Sequence, residues 1–134
     1  MTAYGELGPD QLPRIVEIYH AAGWTAYLGD RESLTRAFER SLYVLGAFRE
    51  GRLIGFIRCV GDGEHIVYVQ DLIVDTPYRR QGIGKALLRK VWERYPAVRM
   101  YALMTDASDA AANAFYQAMK MKTYEEAGLT GYLW

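Results

Sequence analysis

The run His65-Ile-Val-Tyr-Val-Gln-Asp-Leu-Ile-Val74 is the most strand-like stretch of the chain, and a helical period opens a short loop later at Gly82. Ile83, Ala86, Leu87 and Val91 recur at helical spacing as far as Tyr95-Pro96, where the residue before proline avoids helical angles. A further strand follows at Val98 to Met104. Strand, helix and strand in that order close as a right-handed crossover, which makes the two strands parallel. Ligands of such sheets bind at the carboxyl ends of the parallel strands, here near Val74 and Met104.

The remaining elements build around this crossover. Leu42 to Phe48, a turn at Glu50-Gly51-Arg52, Leu53 to Val60 and a turn at Gly61-Asp62-Gly63 predict a three-stranded antiparallel meander over residues 42–75, which Pro77 closes. Ahead of it, Leu12, Ile15, Val16, Ile18 and Tyr19 mark an amphipathic helix capped by Asp10 and ended by Gly23. A second helix follows Asp30 with Leu34, Ala37 and Phe38 on one face. The loop between the two carries two large aromatics, Trp24 and Tyr27. Downstream, Ser108 or Asp109 caps a helix bearing Ala112, Phe115, Tyr116 and Met119, and Tyr132-Leu133-Trp134 predicts a last strand. The order ααβββαβαβ, without repeat or linker, predicts one domain over residues 1–134. Its fold class is α/β (α+β), with a mixed, mostly antiparallel central sheet flanked by helices.

Sixteen Lys plus Arg balance sixteen Asp plus Glu, so no overall field draws the chain to nucleic acid or anionic lipid. The charge is local: residues 79–94 hold Arg79, Arg80, Lys85, Arg89, Lys90 and Arg94 against Glu93 alone, which suits a small polyanion. One cysteine, Cys59, and two histidines argue against a disulfide framework and against a metal site, and the cytoplasm is the expected compartment. Neither a leader pattern nor an apolar run of membrane-spanning length is expected to act here.

The cationic island begins with Arg79-Arg80-Gln81-Gly82-Ile83-Gly84-Lys85, between strand and helix. Two glycines at alternate positions let a ligand approach the backbone, and the free N–H groups and positive dipole end of the helix make an anion site. A dinucleotide fingerprint needs glycine where Leu87 stands. A Walker A loop needs Ser or Thr where Ala86 stands. What remains, Leu72-Ile73-Val74 followed by Arg79-x-x-Gly82-x-Gly84, resembles the acetyl-CoA loop of the GNAT superfamily of N-acetyltransferases. The element order resembles that family's fold over nearly the whole chain, and Asn113-Ala114-Phe115-Tyr116 resembles its second motif.

The resemblance implies a cytoplasmic acetyl-CoA-dependent N-acetyltransferase without a metal. Leu72, Ile73 and Val74 would offer backbone to the pantetheine arm, and the loop from Arg79 to Lys85, including Gln81 and Ile83, would wrap the pyrophosphate. Asn113 would touch the cofactor, and Tyr116 would protonate the leaving thiolate; a phenol, neutral at pH 7, can do so. The family usually has Gly-Phe where this chain has Lys120-Met121, which leaves the end of that helix and the setting-off of the last strand open. The short tail admits a homodimer in which a partner chain completes the sheet.

Strand alternation groups Glu64, Ile66, Tyr68, Gln70, Leu72 and Val74 on one face and His65, Val67, Val69, Asp71 and Ile73 on the other. Neither Tyr68 nor Gln70 is a good base, so either ordered water would deprotonate the amine or the acceptor's amine would be already partly neutral, with Gln70 orienting it, and attack would be direct. Asp71 is the alternative base, or the ion-pair partner of a buried arginine such as Arg58. Trp24, Tyr27 and Tyr68 are expected to wall the pocket of a small-molecule or protein amine. The competing reading is a module that binds acetyl-CoA without turnover.

Overall fold

The computed structural model describes all residues, 1–134, in two compact units, Met1–Leu103 and Met104–Trp134. The first unit is a five-stranded sheet of order β1-β2-β3-β4-β5. Its strands are β1 (Thr2–Glu6), β2 (Tyr43–Arg49), β3 (Arg52–Gly61), β4 (Ile66–Val74) and β5 (Met100–Leu103). Neighbours pair antiparallel except β4 and β5, which pair in parallel, as the crossover requires. The helices of this unit are α1 (Leu12–Ala21), α2 (Arg31–Glu39) and α3 (Ile83–Arg94).

Local chemistry accounts for most boundaries. Glu50 and Gly51 both take positive φ, the requirement of a two-residue hairpin turn whose twist matches its strands. At the next hairpin the Asp62 carboxylate accepts N–H bonds from Glu64, His65 and Ile66, which hold its pKa down at about 2. Asp30 caps α2 by accepting from the Ser33 N–H. Two expectations at the amino end are corrected. Asp10 does not cap α1: it lies inside a 3₁₀ turn, Pro9–Gln11, that runs directly into the helix, so the cap position falls on Gln11, which makes no side-chain cap bond. Residues Thr2–Glu6, to which the expected order assigns no element, add strand β1 along β2, from Thr2 opposite Arg49 to Glu6 opposite Leu45.

Both faces of the sheet are covered. On one, Ile15, Ile18 and Tyr19 of α1 and Leu34 of α2 pack on Leu53, Phe56 and Ile73. Tyr19 is fully buried and meets Tyr27, Phe38 and Phe56 edge-on, contacts worth about 0.5–1.5 kcal/mol each. On the other face, Ile83, Leu87, Leu88 and Val91 of α3 are buried. Burial alternates along β4 as its sequence predicts, but the grouping of faces is corrected by a register shift. Arg58 lies opposite Asp71 and its neighbour Cys59 opposite Val69, so Gln70 is the extra residue of a β-bulge. Paired residues share a side, so Val67 and Val69 lie with Cys59 on the α3 face, while Asp71 and Ile73 cross to the α1/α2 face with Arg58 and Phe56.

The second unit holds one helix, α4 (Ala110–Ala118), capped by the Asp109 carboxylate accepting from the Ala112 N–H. It ends without glycine: Lys120 itself takes φ 69°, with its N–H donating to Gln117 O and the Met121 N–H to Tyr116 O. That pair of bonds is a Schellman ending built on a lysine. Residues 129–134 form no strand, which corrects the expected last strand: Tyr132, Leu133 and Trp134 are exposed and in no ladder.

Candidate functional site

Two backbone features meet at the carboxyl end of β4. Pairing of β4 with β5 stops at Val69 opposite Leu103, the residue before the bulge, so Gln70 to Val74 have no strand on that side. Beyond Val74 the chain makes a 3₁₀ turn, Thr76–Tyr78, and enters α3 through Gly82, whose φ of 79° is the left-handed conformation that glycine adopts at least cost. The first bond of the helix is Ala86 N–H to Gly82 O, so the N–H groups of Ile83, Gly84 and Lys85 have no partner within it. The result is a free strand edge leading to a helix end of positive potential, and the residues present fit an extended chain ending in phosphate.

Side chains brace this loop more than they line it. Arg79, at the start of the loop expected to wrap the pyrophosphate, donates its Nε to Val74 O at 3.0 Å, tying the loop to the end of β4. Gln81 accepts from Arg49 Nη1 at 2.8 Å, and Arg49 lies over the Tyr78 ring. Asp75 is held by Arg14 at 2.8 Å, and Arg14 also donates to Leu53 O. Arg49 and Arg14 were missed from sequence; each is remote in the chain and carries no motif. Gly82, Lys85, Ala86, Arg89, Lys90 and Glu93 line a groove of about 290 Å³ along α3, which gathers three of the island's six cations, Lys85, Arg89 and Lys90.

On the α1/α2 face, Gln70 Nε2 donates to the Tyr27 hydroxyl at 3.0 Å, and Trp24, 40% exposed, stacks on Tyr19 at 6.3 Å. Tyr68, half-buried, lies opposite Val60 two residues before Gln70. Beneath them Asp71 Oδ2 accepts from Arg58 Nε at 2.7 Å and from the Tyr19 hydroxyl at 2.6 Å. Asp71 thus has the ion-pair partner that its sequence context allowed, and its side chain is sealed from solvent. Burial, reinforced by the Asp71 carboxylate, pushes the Tyr19 phenol far up; at Arg58 burial, the largest single effect, lowers the pKa, but Asp71 and Tyr19 together hold the guanidinium above its ordinary value. Burial also pushes the Cys59 thiol up to about 12, which makes it a poor nucleophile.

In the second unit, Asn113 spends its side-chain N–H groups on Asp106 O and Asp109 O at the start of α4. Tyr116 is half-buried against Phe115, and burial, with Asp109 adding to it, raises its phenol pKa. No group of three or more His, Cys, Asp or Glu could hold a metal ion, and no helix is long and apolar enough to cross a membrane.

Comparison with known proteins gives these features a context. The model of the acetyltransferase (GNAT) family matches residues 10–121. A GNAT-family acetyltransferase from Streptococcus pneumoniae is 30% identical, with a TM-score of 0.86, covering 100% of this chain and 97% of that one. The ribosomal-protein-S18-alanine N-acetyltransferase of Escherichia coli is 26% identical, with a TM-score of 0.75, over 89% of this chain and 76% of that one. An N-acetylaspartate synthetase from Xenopus tropicalis is 35% identical over 80 residues, 57% of this chain; the match spans 29% of that protein's length.

Proposed function

The chain belongs to the acetyltransferase (GNAT) family, and from that premise we propose that it transfers an acetyl group from acetyl-CoA to a primary amine by direct attack in a ternary complex. The observation that carries this is the end of β4–β5 pairing at Val69 beside the unpartnered N–H groups of Ile83, Gly84 and Lys85. Bound acetyl-CoA supplies a thioester, whose acyl C–S bond breaks as the amine nitrogen bonds to the acyl carbon. Leu72, Ile73 and Val74 offer backbone hydrogen bonds along an edge that no strand occupies, and the helix start, with Gly82 and Gly84, receives the pyrophosphate. Arg80 and Lys85 add charge; Arg79 and Gln81 hold the loop in place.

The acceptor is a small-molecule or protein amine flanked by Trp24, Tyr27 and Tyr68. Gln70 orients it, and its proton leaves to water, since Asp71 is committed to Arg58 and Tyr19. Tyr116 matches the position to which the family resemblance assigns the acid for the leaving thiolate, and a raised phenol pKa keeps that proton in place at neutral pH. Asn113 matches a cofactor-contacting position, with its side-chain oxygen remaining for that contact.

The test is a thermal melt with and without acetyl-CoA, followed by thiol release against a panel of amines. The panel starts from aspartate and an alanine-initiated peptide, after the names of two similar proteins. A ligand-dependent rise in Tm together with thiol release supports the reading. A rise without release from any amine assigns the chain as a binding module instead, and no rise removes the foundation of both.

A further inference from the structure

A buried ion pair is weak evidence for stability, because desolvation of both charges opposes their attraction; its best-attested use is to select one register among several. The Arg58–Asp71 pair stands at the point where such a choice exists. Arg58 and Asp71 are 5% and 1% exposed, and Tyr19, whose hydroxyl completes the cluster, is fully buried. The register shift falls between Arg58 and Cys59, so the ion pair closes the last rung on one side of the bulge and Cys59–Val69 the first rung on the other. Without the bulge, strict alternation would return Asp71 to the side of Val67 and Val69. There the carboxylate would face the apolar residues under α3, while Leu72 and Val74 would move to the α1/α2 face. Only the shifted register brings Asp71 within 2.7 Å of Arg58 Nε and 2.6 Å of the Tyr19 hydroxyl.

We infer that Arg58, Asp71 and Tyr19 form a register lock that holds the bulge at Gln70 and, through it, the unpaired edge of β4. Two functional features depend on that register: β4–β5 pairing stops one residue before the bulge, and Gln70 is turned toward Tyr27. The surroundings support a rigid lock. The Arg58 guanidinium lies over the rings of Tyr27 and Phe38, at 5.8 and 5.0 Å, and the raised phenol pKa of Tyr19 keeps its hydroxyl a donor. Asp71 Oδ1 is buried without a partner, so the carboxylate has no compensation other than this cluster. These are positioning residues. Their effect on acetyl-CoA rests on the function proposed above, but the register itself does not.

The experiment replaces the charges by apolar groups of similar size, Arg58→Met with Asp71→Leu, and separately removes one hydroxyl by Tyr19→Phe. Cross-strand NMR contacts report the register in the absence of ligand, and titration reports the acetyl-CoA Kd. With the lock gone, residues 68–74 are expected to give two sets of resonances or the unbulged pairing. Acetyl-CoA Kd is expected to rise at least tenfold in the double variant and about threefold in Tyr19→Phe, with cooperative melts retained. One set of resonances with Arg58→Met opposite Asp71→Leu and Cys59 opposite Val69 would overturn the lock, even if stability fell. Should the double variant fail to fold, the resonances and Kd of Tyr19→Phe decide alone. Wild-type protein that binds no acetyl-CoA, yet loses its register in the variants, refutes the proposed function and leaves the lock standing.

Discussion

Gly82 is the position where cofactor binding and chain strain can be separated. Its φ is 79°, and a Cβ built there would meet nothing within 4 Å. Alanine therefore brings no clash, only the cost of a left-handed L-residue, about 1–2 kcal/mol. The reduced freedom of the unfolded chain returns about 0.4–1 kcal/mol of that. The net loss is about 1 kcal/mol, or about 3–5 °C in Tm for a chain of this length. Gly51 is a matched control, with φ 76° and the same open space around an added Cβ, but it sits in the β2–β3 hairpin turn. Gly51→Ala and Gly82→Ala should lower Tm alike. Acetyl-CoA at a hundredfold excess over Kd should add about 2.7 kcal/mol, about 10 °C, to wild type and to Gly51→Ala. In Gly82→Ala most of that rise should vanish, because phosphate held by the backbone at this loop must approach more closely than a methyl group allows. Differential scanning fluorimetry reads all of these. Equal ligand-induced rises in the two variants would refute the assignment of the α3 start as the phosphate site.

Tyr116→Phe should leave acetyl-CoA Kd unchanged and lower kcat at least tenfold; an unchanged kcat with a validated acceptor removes the phenol from the chemistry. Asp62 has a folded pKa of about 2 against an ordinary 3.8, so it contributes stability above the unfolded value that is lost as pH falls toward 2. Asp62→Asn, which keeps a neutral acceptor, should accordingly melt lower than wild type at pH 5 and together with it near pH 2, and a gap that persists at pH 2 would contradict this. Lys120→Gly should stabilise the chain by about 1 kcal/mol, since glycine relieves a positive φ that the two Schellman bonds already define. A lower melting temperature in that variant would overturn the account of how α4 ends.

The crossover, the meander and the phosphate-holding loop were legible because each rests on local chemistry. Hairpin turns need residues tolerant of positive φ, and parallel strands need a helix between them. Strand β1 was not legible. Thr2 to Glu6 has no alternating apolar pattern, and what places it is the free edge of β2, a tertiary fact. The reverse holds for Tyr132-Leu133-Trp134, whose strand propensity finds no ladder to join. Lys120 shows that a missing glycine does not forbid a left-handed helix end when two backbone bonds define it. The bulge at Gln70 was hidden for a subtler reason. Because helices cover both faces of the sheet, β4 continues to alternate buried and exposed while the buried side changes over, so periodicity in sequence carries no trace of the shift.

The two halves of the proposed site are encoded differently, and this decides where acceptor preference can change. The cofactor half is mostly backbone, and backbone access demands glycine, a helix start and an unpaired edge, all of which constrain sequence. The acceptor half is made of side chains that also hold the core together. Tyr27 packs edge-on against Tyr19, accepts from Gln70 and lies on the Arg58 guanidinium, so replacing it disturbs the core and the cluster around Asp71 together. Trp24 makes one stacked contact with Tyr19 and is 40% exposed. It can be exchanged with less loss of packing than Tyr27, and a lineage of this fold that changes its amine should do so through position 24 first.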